Sequence, residues 1–238
     1  MLHGAAISTT QSLRPRAAFE TRSTGRPGAS IATIASTFKQ QAGTTVFAEG
    51  ERTEGLYEVV SGIVRLHKLM PDGRRQITGF LAAGHFLNLL LQDNFTHTAE
   101  AVTEVTLCRY PRTGFQRMVD QNPGLALRLL AATSDELRAA QDQMLLLGRK
   151  TAAEKMASFL LAMAELQDDI ARGNVVQIPM SRGDIADYLG LTVETVSRTL
   201  ARLKRDRLIA LTSPTEIELL DRDRLEELAA GELAESCR

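Results

Sequence analysis

The sequence contains little cysteine: only Cys108 and Cys237 occur, and they lie far apart in the chain. Two thiols are too few for a disulfide framework or for a cysteine-ligated metal cluster. No apolar run reaches the roughly 18 residues that a membrane-spanning helix requires. These absences exclude a disulfide-stapled scaffold and a membrane protein, and they predict a cytoplasmic location.

The sequence also lacks the patterns that most enzymes carry. It shows no nucleophile with a neighbouring base, no metal-ligand spacing and no glycine-rich loop that would cradle a phosphate. We therefore expect neither an enzyme nor a bound cofactor. The formal net charge of -1 does not exclude a nucleic-acid partner, because such binding depends on where basic residues cluster.

The chain of 238 residues is long enough for two domains, each with its own core. Its first 30 residues hold four arginines and one glutamate among many Ser, Thr and Ala residues. This composition has too little apolar surface to fold and predicts a disordered basic tail over residues 1–35. A transit peptide has a similar composition and is the alternative.

Residues 36–121 are predicted to form one domain, in which short β-like runs separated by glycines extend from about Thr44 to Tyr110. Apolar side chains alternate along these runs at Leu56, Ile63 and Leu66, with Val59 slightly off phase. The segment "PDGR" (71–74) supplies a turn between two of them. A spacing of about ten residues per strand predicts a small barrel or sandwich.

After "NPG" (122–124) the apolar period changes to 3.5 residues, which indicates a helix over residues 122–148. A narrow apolar seam between charged flanks is typical of a coiled coil between two chains. The predicted dimer seam consists of Leu130, Thr133, Leu137, Ala140, Met144 and Leu147. A helix that packs on its own domain is the alternative. A break at Gly148 and a second helix over residues 151–167 are predicted to follow.

The segment 181–207 predicts two helices joined by a tight turn. Ser181 and Asp184 resemble a capping box, and Gly190 can adopt the left-handed conformation that ends a helix. The Thr192 hydroxyl can cap the second helix. The side chains predicted to be buried are Ile185, Ala186 and Leu189 in the first helix, and Val193, Val196, Leu200 and Leu203 in the second.

Residues 149–238 are predicted to form a winged helix-turn-helix. Ala186, Gly190 and Val196 have the spacing that two closely crossing helices need. Two strand-like runs then follow on either side of "TSPT" (212–215), the first at 208–211 and the second at 217–220. They predict the wing.

The second helix of this segment is its most basic part. From Thr192 to Arg207, five basic residues stand against two acidic ones, a local charge of +3. Near the start of the helix, Glu194, Ser197 and Arg198 are predicted to read base edges. The residues predicted to contact phosphates are Thr192, Thr195, Arg202, Lys204 and Arg205. A solvated charged face is the alternative.

On these features the sequence resembles the Crp/Fnr family of bacterial transcription regulators. The resemblance spans about residues 44–220 and rests on "FAEGERTEGLYEVVSGIVRL" (47–66), on the heptad helix and on "VETVSR" (193–198). It implies an α+β chain with an N-terminal cyclic-nucleotide-binding-type β-roll as a sensor-type domain, a long dimerisation helix and a C-terminal winged helix-turn-helix. The hexapeptide matches the E-x-x-S-R motif of the Fnr and FixK branches. That match implies a palindrome of TTGAT-type half-sites.

In two respects this sequence departs from the family pattern, and these departures indicate which branch of the family it resembles. The Fnr branch holds an iron–sulfur cluster on N-terminal cysteines, and no cysteine precedes Thr44. Cyclic AMP binders carry a Glu and an Arg-Ser pair in the segments that correspond to 84–92 and 94–101, where this chain has no Arg and no Glu before Glu100. We therefore expect no cyclic AMP binding and a FixK-like regulator.

The resemblance implies a homodimeric transcription activator with double-stranded DNA and RNA polymerase as partners. Genes of oxygen limitation or related metabolism are the expected targets. The turn "PDGRRQ" (71–76) either contacts RNA polymerase or is a solvated hairpin. The alternative function is a sensor of the same family whose β-roll binds an unidentified effector.

The remaining reactive side chains are interpreted as structural. The histidines His67, His85 and His97 match no metal or haem spacing, and we expect them in loops or at the surface. Cys108 lies in an apolar strand and is predicted to be an inert core thiol rather than a sensor. Cys237 is expected to be exposed and oxidisable, with no identified partner.

Overall fold

The computed structural model describes residues 35–88, 92–167 and 174–232. Its strands are β1 (Ser36–Gln40), β2 (Thr45–Phe47), β3 (Gly55–Ser61), β4 (Val64–Leu69), β5 (Arg75–Leu81), β6 (Phe86–Leu87), β7 (Thr98–Ala101), β8 (Val105–Pro111), β9 (Val175–Gln177), β10 (Ile209–Ser213) and β11 (Glu216–Leu219). Its helices are α1 (Arg112–Gln121), α2 (Pro123–Arg149), α3 (Ala152–Leu166), α4 (Arg182–Leu189), α5 (Val193–Arg205) and α6 (Arg222–Ala230).

The described residues divide into two compact units. One unit comprises residues 35–136 and 179–190, and the other comprises residues 137–178 and 191–232. The long helix α2 therefore contributes to both units. Within the described residues, no helix has both the length and the apolar character that a membrane span needs.

The first unit is built on two antiparallel sheets, with strand orders β1-β8-β3-β6 and β2-β7-β4-β5. The chain passes from one sheet to the other at Gly62, whose φ of 86° is a conformation that glycine adopts without strain. One buried cluster contains Phe47, Tyr57, Val59, Val64, Leu87, Phe95, Ala99, Ala101, Val105 and Leu107. The glycine-separated strands predicted from the sequence are thereby confirmed.

Helix α2 differs in one respect from the prediction. It continues through Gly148 to Arg149, so the predicted break at Gly148 is wrong. A single glycine in a helix costs only about 1 kcal/mol relative to alanine, which a 27-residue helix tolerates. The break comes instead at Thr151, whose side chain forms a capping box with Glu154 and starts α3.

The second unit surrounds the helix α3, whose Met156, Phe159 and Leu160 are fully buried. Its sheet has the order β10-β11-β9. The third strand, β9, is held by Gln167: the Gln167 amide donates to the Gln177 carbonyl at 2.7 Å and accepts from the Gln177 N–H at 2.9 Å. The predicted wing strands 208–211 and 217–220 correspond to β10 and β11.

Candidate nucleic-acid interface

Helix α4 has the ends that the sequence predicts. Ser181 Oγ accepts from the Asp184 N–H at 3.0 Å, and Asp184 Oδ2 accepts from the Ser181 N–H at 3.1 Å. Gly190 ends the helix in the left-handed conformation, with a φ of 61°. The predicted buried residues Ile185, Ala186 and Leu189 are buried.

Helix α5 begins after Thr192, whose hydroxyl accepts from the Thr195 N–H at 3.2 Å. Its buried side comprises Val196, Thr199, Leu200 and Leu203. The prediction that Val193 is buried is wrong, because its side chain is 44% exposed. Helical side chains lean toward the N-terminus, so a residue at the first position leans past the end of the helix.

The three predicted base-reading residues lie on the exposed side of α5. Their spacing of three and then one residue places Glu194, Ser197 and Arg198 on one face. Hydrogen bonds from its own backbone N–H and the Thr192 hydroxyl lower the pKa of Glu194, and the Arg198 charge contributes. Glu194 is therefore ionised and can only accept, whereas Arg198 can only donate.

The predicted phosphate-contacting residues extend along the same helix. Thr192, Arg202, Lys204 and Arg205 are exposed, and Thr195 is half-buried. The Arg202 guanidinium lies 3.6 Å from the Asp206 carboxylate. An exposed pair at this distance contributes little, so it leaves Arg202 available to an anionic partner.

A cluster of ion pairs holds α4 against the β4–β5 hairpin of the first unit. Asp184 Oδ1 accepts from Arg65 Nη1 at 2.9 Å and from Arg75 Nη2 at 2.6 Å. Asp187 Oδ2 accepts from Arg75 Nε at 2.9 Å. These contacts join residues more than a hundred positions apart, which no local sequence pattern reveals.

The prediction that the turn "PDGRRQ" (71–76) is exposed is therefore wrong for its last two residues. Residues 71–74 are exposed, but Arg75 binds the two α4 carboxylates, and the Gln76 side-chain amide donates to the Asp187 carbonyl at 2.7 Å. Four residues of the turn remain available for a partner.

Two domain families match the sequence. Residues 38–122 match the cyclic nucleotide-binding domain, and residues 154–228 match the Crp-like helix-turn-helix domain. The chain is 46% identical over 190 residues to the nitrogen fixation regulation protein FixK of Bradyrhizobium diazoefficiens, covering 79% of this chain and 80% of that protein. The chain belongs to the Crp/Fnr family of transcription regulators.

Further relatives of this Crp/Fnr chain agree with that placement. The transcriptional activatory protein AadR of Rhodopseudomonas palustris is 43% identical over 190 residues, which is 78% of each protein. The solved structure of FixK2 from Bradyrhizobium japonicum superposes with a TM-score of 0.77 at 39% identity, covering 82% of this chain and 97% of that one. The predicted FixK-like resemblance and the predicted fold are confirmed, and the chain is a transcription regulator rather than an enzyme.

The β-roll of this Crp/Fnr chain contains a pocket within the first unit. Its described lining residues are Phe47, Leu66, Asn88, Gln92, Phe95, Thr96, His97 and Glu136. The rings of Phe47 and Phe95 stack with centroids 3.7 Å apart. Among these lining residues the ionisable groups are a histidine and a carboxylate. Burial lowers the pKa of His97, and the nearby Lys68 charge acts in the same direction.

The prediction for the histidines is wrong for His67, which is buried in β4. Burial lowers its pKa, and the Arg75 charge acts in the same direction. His85 and His97 lie in loops and are half-buried. Within residues 35–88, 92–167 and 174–232, no three His, Cys, Asp or Glu side chains are grouped so that they could hold a metal ion.

Cys108 is a buried free thiol in β8, as expected for a core residue. The predicted tail lies outside the described residues except for Ala35, and Cys237 lies outside them too.

Proposed function

We propose that this chain is a homodimer that binds a palindrome of TTGAT-type half-sites through α5 and activates transcription. The observation that carries the proposal is the exposed face of α5, on which Glu194, Ser197 and Arg198 stand together in the E-x-x-S-R pattern. A recognition helix contacts base edges with residues near its N-terminus, which is where these three lie.

The chemistry of this face suits a half-site that contains a G·C pair. The Arg198 guanidinium presents paired donors that match guanine O6 and N7, and the ionised Glu194 can accept from cytosine N4. The exposed methyl groups of Val193 suit an apolar contact with a thymine methyl. The hydroxyls and cations of Thr192, Thr195, Arg202, Lys204 and Arg205 then suit the flanking phosphates.

The exposed seam of α2 supports the dimer. Leu130, Leu137 and Met144 are each at least 60% exposed, and Leu127 extends the stripe at 69%. Ala140 is exposed, and Thr133 and Leu147 are half-buried on the same helix. A contiguous apolar stripe on a charged helix marks a contact surface. A second copy of α2 would cover it and would pair two α5 helices with two half-sites.

The direct test is a comparison of two DNA duplexes in a fluorescence anisotropy titration at one fixed salt concentration. We expect the full-length protein to bind the TTGAT palindrome at least about a thousand-fold more tightly than a scrambled duplex of equal length. Equal affinity for both duplexes would remove the proposed specificity, whatever the absolute affinity.

The same proposal includes DNA binding without cyclic AMP. An anionic phosphate needs a cation or several donors, whereas the charged group among the pocket's described lining residues is the Glu136 carboxylate. We expect calorimetry with cyclic AMP to show no binding in the micromolar range, and the DNA affinity to stay unchanged when the nucleotide is added. Binding of cyclic AMP in the micromolar range would contradict this part of the proposal.

The alternative, a sensor gated by another small molecule, has one observation in its favour. The pocket places the polar side chains of Asn88, Gln92 and Thr96 beside the stacked rings of Phe47 and Phe95. A small uncharged or cationic effector suits such a lining better than a phosphate does. A ligand that changes DNA affinity without changing base preference would favour this alternative.

The genes that this chain is proposed to regulate are inferred from the names of its relatives. One is named as a nitrogen fixation regulation protein, and others are named as transcriptional activators, including FnrL of Cereibacter sphaeroides. We infer a cytoplasmic activator of genes for oxygen limitation or related metabolism. Residues 71–74, at the exposed tip of the β4–β5 hairpin, are proposed as a contact with RNA polymerase.

A further inference from the structure

We propose that His67 makes the first unit sensitive to mild acid: protonation of its imidazole weakens the ion pairs that attach α4 to strands β4 and β5. All the groups involved lie in that one compact unit. The ion pairs join Arg65, Arg75, Glu100, Asp184 and Asp187, which together form the α4 cluster. The proposal concerns the first unit by itself and is independent of the DNA contacts proposed for α5.

His67 lies inside the sheet, close to one of these ion pairs. Its Cα partners are Ile77 in β5 and Thr98 in β7, so a strand flanks it on either side. Two positions earlier on β4, Arg65 pairs with Glu100 of β7. The histidine is only 6% exposed. A charge on its imidazole would therefore be buried beside existing charges.

Four elements contribute charged groups around this imidazole. Burial is the main cause that lowers the pKa of His67, and the charge of Arg75 on β5 acts in the same direction. Glu100 of β7 and Asp184 of α4 raise this pKa, whereas Arg65 of β4 lowers it. The two guanidiniums thus oppose a proton on His67, and the two carboxylates favour it.

A second histidine lies near this group. Burial lowers the pKa of His97, on the loop before β7, and the charges of Lys68 and His67 act in the same direction, while Glu49 raises it. A proton on one of the two histidines therefore disfavours a proton on the other.

The two carboxylates near His67 already have partners. Asp184 Oδ1 accepts from Arg65 and Arg75, and its Oδ2 closes the capping box of α4. Glu100 is paired with Arg65. An imidazolium at His67 can therefore gain a carboxylate only by competing with a guanidinium of the α4 cluster.

The hydrogen bonding of His67 also favours a neutral ring. Its Nδ1 is buried and has no hydrogen-bond partner among the residues that the structure describes. A neutral imidazole can leave that nitrogen without a proton, whereas an imidazolium carries an N–H donor on both nitrogens. A buried charged donor without an acceptor costs more free energy than a buried nitrogen without a proton.

The direction of the pH effect follows from this preference for the neutral ring. The pKa of His67 in the folded unit lies below its ordinary value of 6.5. The unfolded chain therefore binds the proton more readily than the folded unit does. The stability that neutral His67 contributes is fully present above about pH 6.5 and decreases as the pH falls toward the folded pKa.

We expect helix α4 to respond to this proton before the sheet does. Its attachment depends on Arg75, whose Nη2 lies 2.6 Å from Asp184 Oδ1 and 2.8 Å from Asp187 Oδ2. A second cation beside Arg75 weakens these ion pairs by repulsion and by competition for Asp184. The strands, by contrast, are held by backbone ladders that do not titrate.

The experiment measures hydrogen exchange of the full chain from about pH 5 to pH 8, the range in which histidine ordinarily changes its charge. Rates are corrected for the intrinsic pH dependence of amide exchange. In the wild-type protein, protection of the α4 amides should fall by up to about ten-fold per pH unit below about pH 6.5, the limit for one proton. In His67→Gln, which has no titratable ring, this protection should stay constant over the same range.

The matched control is His85→Gln. His85 is a half-buried histidine of the same unit, but its Nδ1 lies 3.1 Å from the Ala82 carbonyl oxygen, and it takes no part in the α4 cluster. Its replacement should leave the pH dependence of α4 protection as it is in the wild-type protein.

A second measurement does not require the His67 variant to fold. The sequence contains four histidines, and replacing the others by Gln leaves His67 as the one imidazole that an NMR titration observes. Its midpoint should lie below about 6.5, and α4 protection in this chain should decrease over the same pH range. A midpoint at or above the ordinary value, or an equal loss of α4 protection in the wild-type protein and in His67→Gln, would overturn the proposal.

Discussion

The Leu137→Glu variant is expected to sediment as a monomer and to lose at least about a hundred-fold in affinity for the palindrome. In a two-fold symmetric seam, the substitution places a carboxylate between the helices in both protomers. An uncompensated buried charge costs about 3–5 kcal/mol, which corresponds to a hundred-fold or more in an association constant. Sedimentation velocity and fluorescence anisotropy measure the two losses separately.

The protomer itself should remain folded in this variant, because Leu137 is 60% exposed in the single chain. The matched control is Arg128→Glu. Arg128 is exposed on the same helix, and nine residues of an α-helix correspond to two and a half turns, which places it on the opposite side. This control should remain a dimer with unchanged thermal stability. A tight dimer of Leu137→Glu would place the assembly interface elsewhere.

The parts of the structure that the sequence predicted well are governed by local chemistry. The capping box of Ser181 and Asp184 and the left-handed Gly190 each depend on residues within a few positions, so the sequence pattern identifies them. Strands separated by glycines have the same local character. By contrast, the strand β9 has three residues and is defined by pairing with β11 and by the side chain of Gln167.

The burial of Strict alternation that places Leu66 inward would turn its neighbour outward. The pairing of β4 with β5 shifts register between Leu66 and His67, and such a bulge re-aims the side chains that follow it. Leu66 is consequently half-buried, and His67 is buried.

The contacts of Asp184 include some that a sequence pattern predicts and some that it does not. The spacing from Ser181 predicts its role as a cap, but its two arginine partners are supplied by strands β4 and β5. Their contribution depends on tertiary packing, and neither position carries a motif. The candidate DNA-reading residues were predictable because they occupy one helix, whereas the ion pairs of Asp184 join residues that are far apart in the sequence.

The variants Arg198→Ala and Arg202→Ala are expected to fail in different ways. Arg198 lies near the start of α5, and its guanidinium donates to the Thr195 hydroxyl at 3.4 Å. If Arg198 donates two hydrogen bonds to a guanine edge, its replacement should reduce the binding free energy at that base pair by about 1–3 kcal/mol. The preference for guanine there should flatten, while the other positions of the half-site keep theirs.

Arg202 is one helical turn further on, where a recognition helix is closer to phosphate than to base. Its loss should weaken binding to all sequences alike and reduce the slope of log affinity against log salt by about one unit. The weak contact with Asp206, at 3.6 Å, does not offset this, because an exposed pair contributes little.

A half-site library titrated at two or more salt concentrations measures both properties in one experiment. Arg224→Ala serves as the control, since Arg224 is an exposed residue of α6 and should change neither base preference nor salt slope. The decisive comparison is between the two α5 variants. If Arg198→Ala weakens every sequence equally and keeps the guanine preference, then another residue of α5 reads that base pair, and the E-x-x-S-R face would have to be reassigned.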